Sequence, residues 1–198
     1  VEIEALFSST RWEIIKALSA IKLSPIELAE KLKTTSANVS QQLRLLELAG
    51  LVKSERTSNS DKGKPRINYS LVGDSSFVIL ASPNFAEKKM IPLNLYQKYM
   101  LRTMFIENPE IHPYLAELYF KVKDTLPMVK IIAVESSSIY IVPENQKTGD
   151  SLKKILDDFK KVRISILDLA EFKKKSSSSK VIVLYDPKGL YNEVGKDE

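Results

Sequence analysis

Between Ser36 and Arg44 the chain reads SANVSQQLR, a run of hydroxyls, amides and one guanidinium. Amide and guanidinium groups can make paired hydrogen bonds to base edges in the major groove of duplex DNA. If Val39, Leu43 and Leu46, spaced i, i+4 and i+7, turn inward on a helix, Ala37, Asn38, Ser40, Gln41 and Arg44 lie on the opposite face. That face holds no acid; the first carboxylate, Glu47, comes near the far end, and phosphate would repel it. A cationic set follows at Lys62, Lys64 and Arg66, with Asp61 as the single nearby acid. Cations grouped this way suit phosphate or minor-groove contact.

The flanking residues must position these groups. Ser24-Pro25 is a helix-start signal, because serine can accept from a free backbone amide and proline fits the first helical position. Apolar Ile26, Leu28, Ala29 and Leu32 then recur at roughly helical spacing. Lys33-Thr34-Thr35 makes a turn, and Ser36 is a good cap for the next helix, so Ser36 and Ala37 open the polar face. Gly50 suits a left-handed helix end. Leu51 to Arg56 alternates as a strand, Thr57 to Gly63 is polar and turn-forming, and Pro65 to Leu71 returns with Ile67, Tyr69 and Leu71 on one face. Helix, turn, helix and a two-stranded wing with a basic tip is a layout that grips duplex DNA.

SANVSQQLRLLELAGLV followed by KGKPRINYSL resembles the ArsR-like winged helix-turn-helix transcription regulators, and LFSSTRWEIIKALS resembles their first two helices. The resemblance covers roughly the first third of the chain and rests on the ordered set of helix starts, AGLV and a basic GKPR wing. It implies that Asn38, Ser40, Gln41, Gln42 and Arg44 belong to a groove-reading helix, and that Lys62, Lys64 and Arg66 belong to the wing. It also implies a homodimer on double-stranded DNA. Many members sense metals through Cys or His clusters. This chain has no cysteine and one histidine, His112, and cannot build those clusters. No metal and no cofactor is expected.

At 198 residues, 43% hydrophobic and 28% charged, the chain can bury a core and is not compositionally disordered. A net charge of +5 permits a polyanionic partner but is weaker grounds than the local pattern. No apolar run approaches the roughly twenty residues of a membrane span, and no secretory pattern opens the sequence, so a cytoplasmic protein with no membrane partner is expected. Abundant Lys, Glu and Ile is compatible with a thermophilic source, and within the resembled family with an archaeal one.

The expected fold class is α+β in three parts: a winged helix-turn-helix domain over 1–73, a linker strand with helices over 74–126, and a small α/β domain over 127–198. In the first part, Val1 to Phe7 opens as a short helix, and Trp12, Ile15 and Leu18, with Ile14 beside them, mark an inward face, so Trp12 reads as a packing residue. In the second, Phe77 to Ala81 reads as a strand beside the wing sheet or at a subunit contact, and Phe85 to Leu93 as irregular. Asn94 to Glu107 and a segment from His112-Pro113 read as helices, apolar over a wide arc and suited to dimerisation or to internal packing. His112 reads as a helix-start residue rather than a ligand.

Leu126-Pro127 marks the last boundary. Beyond it come strands at 129–134, 139–142, 162–169 and 181–185, a helix capped by Asp150-Ser151 with Leu152, Ile155, Leu156 and Phe159 inward, and a polar surface loop over 171–180. This part is a candidate surface for recruiting transcription machinery.

The common phosphate-loop, serine and zinc motifs are absent, and no catalytic residue is expected. Asp157-Asp158 reads as a solvated helix flank. Two alternatives stand beside a regulator. One is a protein-interaction adaptor. The other is a nucleotidyltransferase-like enzyme, since VIVLYDPKGLY loosely resembles the closing strand of such folds; its Asp168 and Asp186 are isolated and the Gly-Ser turn is missing.

Overall fold

A computed structural model describes residues 4–57, 66–177 and 181–191. The chain divides into two compact units, residues 1–93 and 94–198. The class is α+β: a helix-turn-helix with a wing hairpin, then a mixed region around a four-stranded sheet.

The first unit opens with a 3₁₀ turn, Glu4–Phe7, and three helices: α1 (Ser9–Ala20), α2 (Pro25–Lys31) and α3 (Ser36–Leu48). Helix α2 starts in a full capping box: Ser24 Oγ accepts from Glu27 N, and the Glu27 carboxylate accepts from Ser24 N. Thr35, not Ser36, caps α3: its Oγ1 accepts from Asn38 N at 3.2 Å, and Ser36 is the first helical residue. Lys33 takes the turn at φ 52°, and Gly50 ends the helical part at φ 72°. Ile14, Ala17 and Leu18 of α1 pack with Leu28, Ala29, Val39, Leu43, Leu46 and Val52 in one core.

Two outward residues correct the apolar pattern. Trp12 is 45% exposed and meets Phe7 edge-on, because the small Ala17 completes the inward face of α1 instead. Ile26 is 64% exposed, since Leu28 and Ala29 occupy the buried side of α2.

The wing is an antiparallel pair, β1 (Val52–Thr57) and β2 (Arg66–Leu71), with Val52 opposite Leu71 and Thr57 opposite Arg66. A bridge between Leu23 and Tyr69 ties it to the stretch before α2. The FVILA run lies in β3 (Ser75–Ser82), which does not join the wing sheet. Its partner is β4 (Phe85–Pro92), the segment expected to be irregular. FAEKKMI lacks strand alternation, and the pairing with β3 makes it a strand. Pro83-Asn84 closes the hairpin, with Asn84 at φ 65°, the positive angle a type II turn needs after proline.

In the second unit the four strands are β5 (Val129–Glu135), β6 (Ser138–Pro143), β7 (Arg163–Ile166) and β8 (Ile182–Tyr185), in the order β7-β6-β5-β8. Pairings are antiparallel except β6 with β7, which are joined through helix α6 (Gln146–Ile155) as a parallel crossover. One sheet face, with Ile132, Val134, Ile139 and Ile141, packs on α4 (Leu95–Thr103), α5 (His112–Val122) and α6. The other, with Ile131, Ala133, Tyr140 and Val142, packs on Phe172 of α7 (Leu169–Ser176). Burial on both faces explains why these strands read as unbroken apolar runs.

The expected boundary at Leu126-Pro127 falls inside this unit, because Tyr99, Leu115 and Leu118 share a core with the sheet. Helix α6 begins four residues before Asp150, capped by Asn145, and Ile155 is partly exposed while Leu152, Leu156 and Phe159 are buried. Helix α7 occupies most of the stretch expected as a polar loop. Asp168 caps it, accepting from Glu171 N at 2.8 Å.

Candidate nucleic-acid interface

Helix α3 is held by its inner face. Val39, Leu43 and Leu46 are fully buried, which leaves Ser36, Ala37, Ser40, Gln41 and Arg44 exposed on the opposite side. These five positions therefore stand free of their own core.

Asn38 and Gln42 behave differently. Both are half-buried, and they belong to a chain of side-chain hydrogen bonds along one flank of the helix. Asn38 Nδ2 donates to Thr34 Oγ1 at 3.1 Å, Gln42 Nε2 donates to Asn38 Oδ1 at 3.3 Å, and Arg11 Nη1 donates to Gln42 Oε1 at 3.1 Å. The chain fixes both amide planes and links α1 to α3. Each amide keeps hydrogen-bonding capacity beyond these contacts. Nothing in the sequence marks Thr34, a turn residue, or Arg11 as a partner of these amides. Arg11 lies 31 residues from Gln42, and no local pattern signals that contact.

The far end of α3 is tied to the wing. Glu47 Oε1 accepts from Ser54 N at 3.1 Å and from Ser54 Oγ at 2.7 Å. The acid nearest the polar face is thus directed into strand β1. On the same strand Glu55 bridges Lys22 at 2.7 Å and Lys53 at 2.9 Å. Hydrogen bonds from these two ammonium groups, reinforced by their charge, hold the Glu55 carboxyl down at about 2. Near the other strand, the Ser24 hydroxyl and backbone amide lower Glu27, and the charge of Arg66 adds a smaller effect.

Arg66 is exposed at the start of β2, while Lys62 and Lys64 lie outside the described residues. Of the expected interface, then, Ser36, Ala37, Ser40, Gln41 and Arg44 share one open face, Asn38 and Gln42 flank it, and Arg66 stands at the far end of the wing strands, opposite Thr57.

In the second unit, the carboxylates that an enzymatic reading would use are engaged structurally. Asp168 caps α7, and Asp186 accepts from the backbone amides of Leu190 and Tyr191, both at 2.9 Å. His112 Nε2 pairs with the Ile106 carbonyl at 3.1 Å. Asp158 is an exposed partner of Lys121 at 2.9 Å. Among the described residues no group of three or more His, Cys, Asp and Glu side chains could hold a metal, and no helix is long and apolar enough to cross a membrane.

Residues 8–54 match the family described as "Bacterial regulatory protein, arsR family". Among solved structures, a mutant of Lactococcus lactis ZitR aligns over 86% of this chain and 69% of its own, at 15% identity and a TM-score of 0.29. A likeness that low fixes neither fold nor function. A search of curated proteins gave no match. The family match spans α1, α2, α3 and the start of β1, the elements that hold the open polar face in place. Residues 8–54 are therefore an ArsR-family helix-turn-helix domain, followed by a wing hairpin and an additional C-terminal α/β region.

Proposed function

We infer that this chain is a sequence-specific DNA-binding transcription regulator that acts as a homodimer. The ArsR-family helix-turn-helix supports DNA-binding transcription regulation. The finer reading places α3 in the major groove, where Gln41 and Arg44 contact base edges, Asn38 and Gln42 present fixed amides from the flank, and Ser36, Ala37 and Ser40 allow close approach. Lys62, Lys64 and Arg66 bring the wing to the backbone or minor groove. Two copies would favour an inverted repeat. The C-terminal α/β region is then free to recruit transcription machinery.

The single observation that carries this reading is the acid-free exposed face of α3, set opposite a fully buried inner face on the same helix. Footprinting of Gln41→Ala and Arg44→Ala tests it. Both substitutions are expected to relax sequence preference, by about 1–3 kcal/mol at the base each contacts. Lys64→Ala should instead weaken all sites about equally and flatten the salt dependence. Unchanged sequence preference in both α3 variants would refute the groove reading.

A further inference from the structure

The β3–β4 hairpin has no partner strand among the described residues, and its composition is lopsided. Strand β3, SSFVILAS, contains no charge, no proline and no glycine over eight residues. Strand β4, FAEKKMIP, carries Glu87, Lys88, Lys89 and Pro92. Ile79 is 63% exposed, Leu80 54% and Phe85 50%. The root is anchored where Phe77 stacks on Phe7, with centroids 5.6 Å apart. Beyond that root the ribbon is open, and a lone two-stranded hairpin is only marginally stable in water. Proteins blunt free strand edges with charges, prolines or bulges. Here β4 is blunted and β3 is not.

The sequence of β3 is also complementary to itself. Place a two-fold axis perpendicular to the sheet at Ile79, and run two β3 strands antiparallel. Ile79 then faces the partner's Ile79, Val78 the partner's Leu80, Phe77 the partner's Ala81, and Ser76 the partner's Ser82. Every pair is apolar with apolar or small with small, and no charge opposes another. The same operation at Lys88 or Lys89 of β4 sets that lysine against its own copy, a like-charge pair.

We propose that β3 pairs edge to edge with β3 of a second copy of this chain, forming a continuous four-stranded sheet in the order β4-β3-β3-β4. The contact is isologous, so it closes at two copies. Its outer edges are the two β4 strands, whose lysines and proline stop further addition. The pairing supplies the interface for the homodimer read above and rests on that reading only for two copies acting together.

The test uses the full chain without DNA. Light scattering at micromolar concentration is expected to give the mass of two chains. Val78→Glu sets a carboxylate against an apolar residue at the centre of the contact, and the mass should fall to that of one chain. The protein has no cysteine, so introduced thiols have no native competitors. Oxidised Ile79→Cys protein should cross-link as a covalent pair, because the introduced thiol faces the same position of the second copy.

A wild-type chain that stays single overturns the pairing, and so does growth beyond two copies. A two-chain mass unmoved by Val78→Glu, with no cross-link in the thiol variant, also overturns it and would fit contact through α4 and α5. If Val78→Glu unfolds, the cross-link alone decides. A cross-linked pair that retards no duplex supports the pairing while ending the regulator reading. Sequence-specific retardation by a chain that stays single does the reverse.

Discussion

Arg11 Nη1 donates to Gln42 Oε1 at 3.1 Å, so a guanidinium on α1 sets the amide plane of a residue on α3. The adjacent Arg11 Nε is buried with no hydrogen-bond partner among the described residues, so the contact stands on a partly unsatisfied group. Gln42 in turn holds Asn38, which is also tied to Thr34.

Arg11→Leu should release the Gln42 carbonyl and loosen the hold of Gln42 on Asn38. The expected result is a loss of about tenfold in the preference for a specific site over unrelated duplex, equivalent to ~1.4 kcal/mol. Urea unfolding should change by only about 1 kcal/mol, the ordinary scale for one hydrogen bond. Competition retardation measures the first quantity. Arg11→Lys separates charge from geometry, since lysine keeps the cation and loses the planar fork. It should resemble Arg11→Leu in specificity if the fork fixes the amides.

The bond pair from Ser54 to Glu47 makes a second prediction. Glu47 receives both donors at the end of α3 and so sets where β1 leaves the helix. Glu47→Gln keeps an acceptor oxygen and should retain most wing order. Glu47→Ala removes it and should loosen β1, with a stability loss of about 1 kcal/mol or less because the site is exposed. Hydrogen exchange at the Ser54 amide reads this directly. Equal protection in wild type and Glu47→Ala would show that the strand is held without the carboxylate.

The third prediction concerns acid. Glu55 titrates near 2 in the folded chain against an ordinary 4.5, owing to Lys22 and Lys53. A depressed carboxylate favours the folded state above its ordinary value, and that contribution fades as pH falls from about 4.5 toward about 2. Carboxyl chemical shifts should place the Glu55 midpoint well below the ordinary 4.5. Lys22→Ala should raise it, and added salt should raise it too, because the pair is solvent-exposed. A midpoint unmoved by either change would mean that the lysines do not hold the carboxylate in solution.

The legible parts of this molecule are those whose signals are local. The α2 start at Ser24-Pro25, the inward set of α3 and the left-handed Gly50 follow from neighbouring residues, and the structure has all three. Trp12 is large and apolar, yet its register on α1 turns it outward, and the small Ala17 completes the buried side. Helix α7 was masked by three lysines and a serine run, although Asp168 and Glu171 carry its capping box at the right spacing. Strand β4 and the Arg11–Gln42 contact had no local signature, because each depends on a distant partner. In the candidate interface, the exposed positions of α3 were readable, and the restraint on Asn38 and Gln42 was not.

Gly50 sits at φ 72°, and a methyl group added there would meet nothing within 4 Å. The requirement at this corner is torsional, with no steric component. Asparagine, which enters the left-handed region most readily among the larger residues, can replace it with little disturbance. Valine or isoleucine would resist that torsion and redirect the chain as it leaves α3. Diverging lineages of this protein can therefore drift in residue type at this joint while keeping its angle, and the angle sets how far the wing stands from the helix it accompanies.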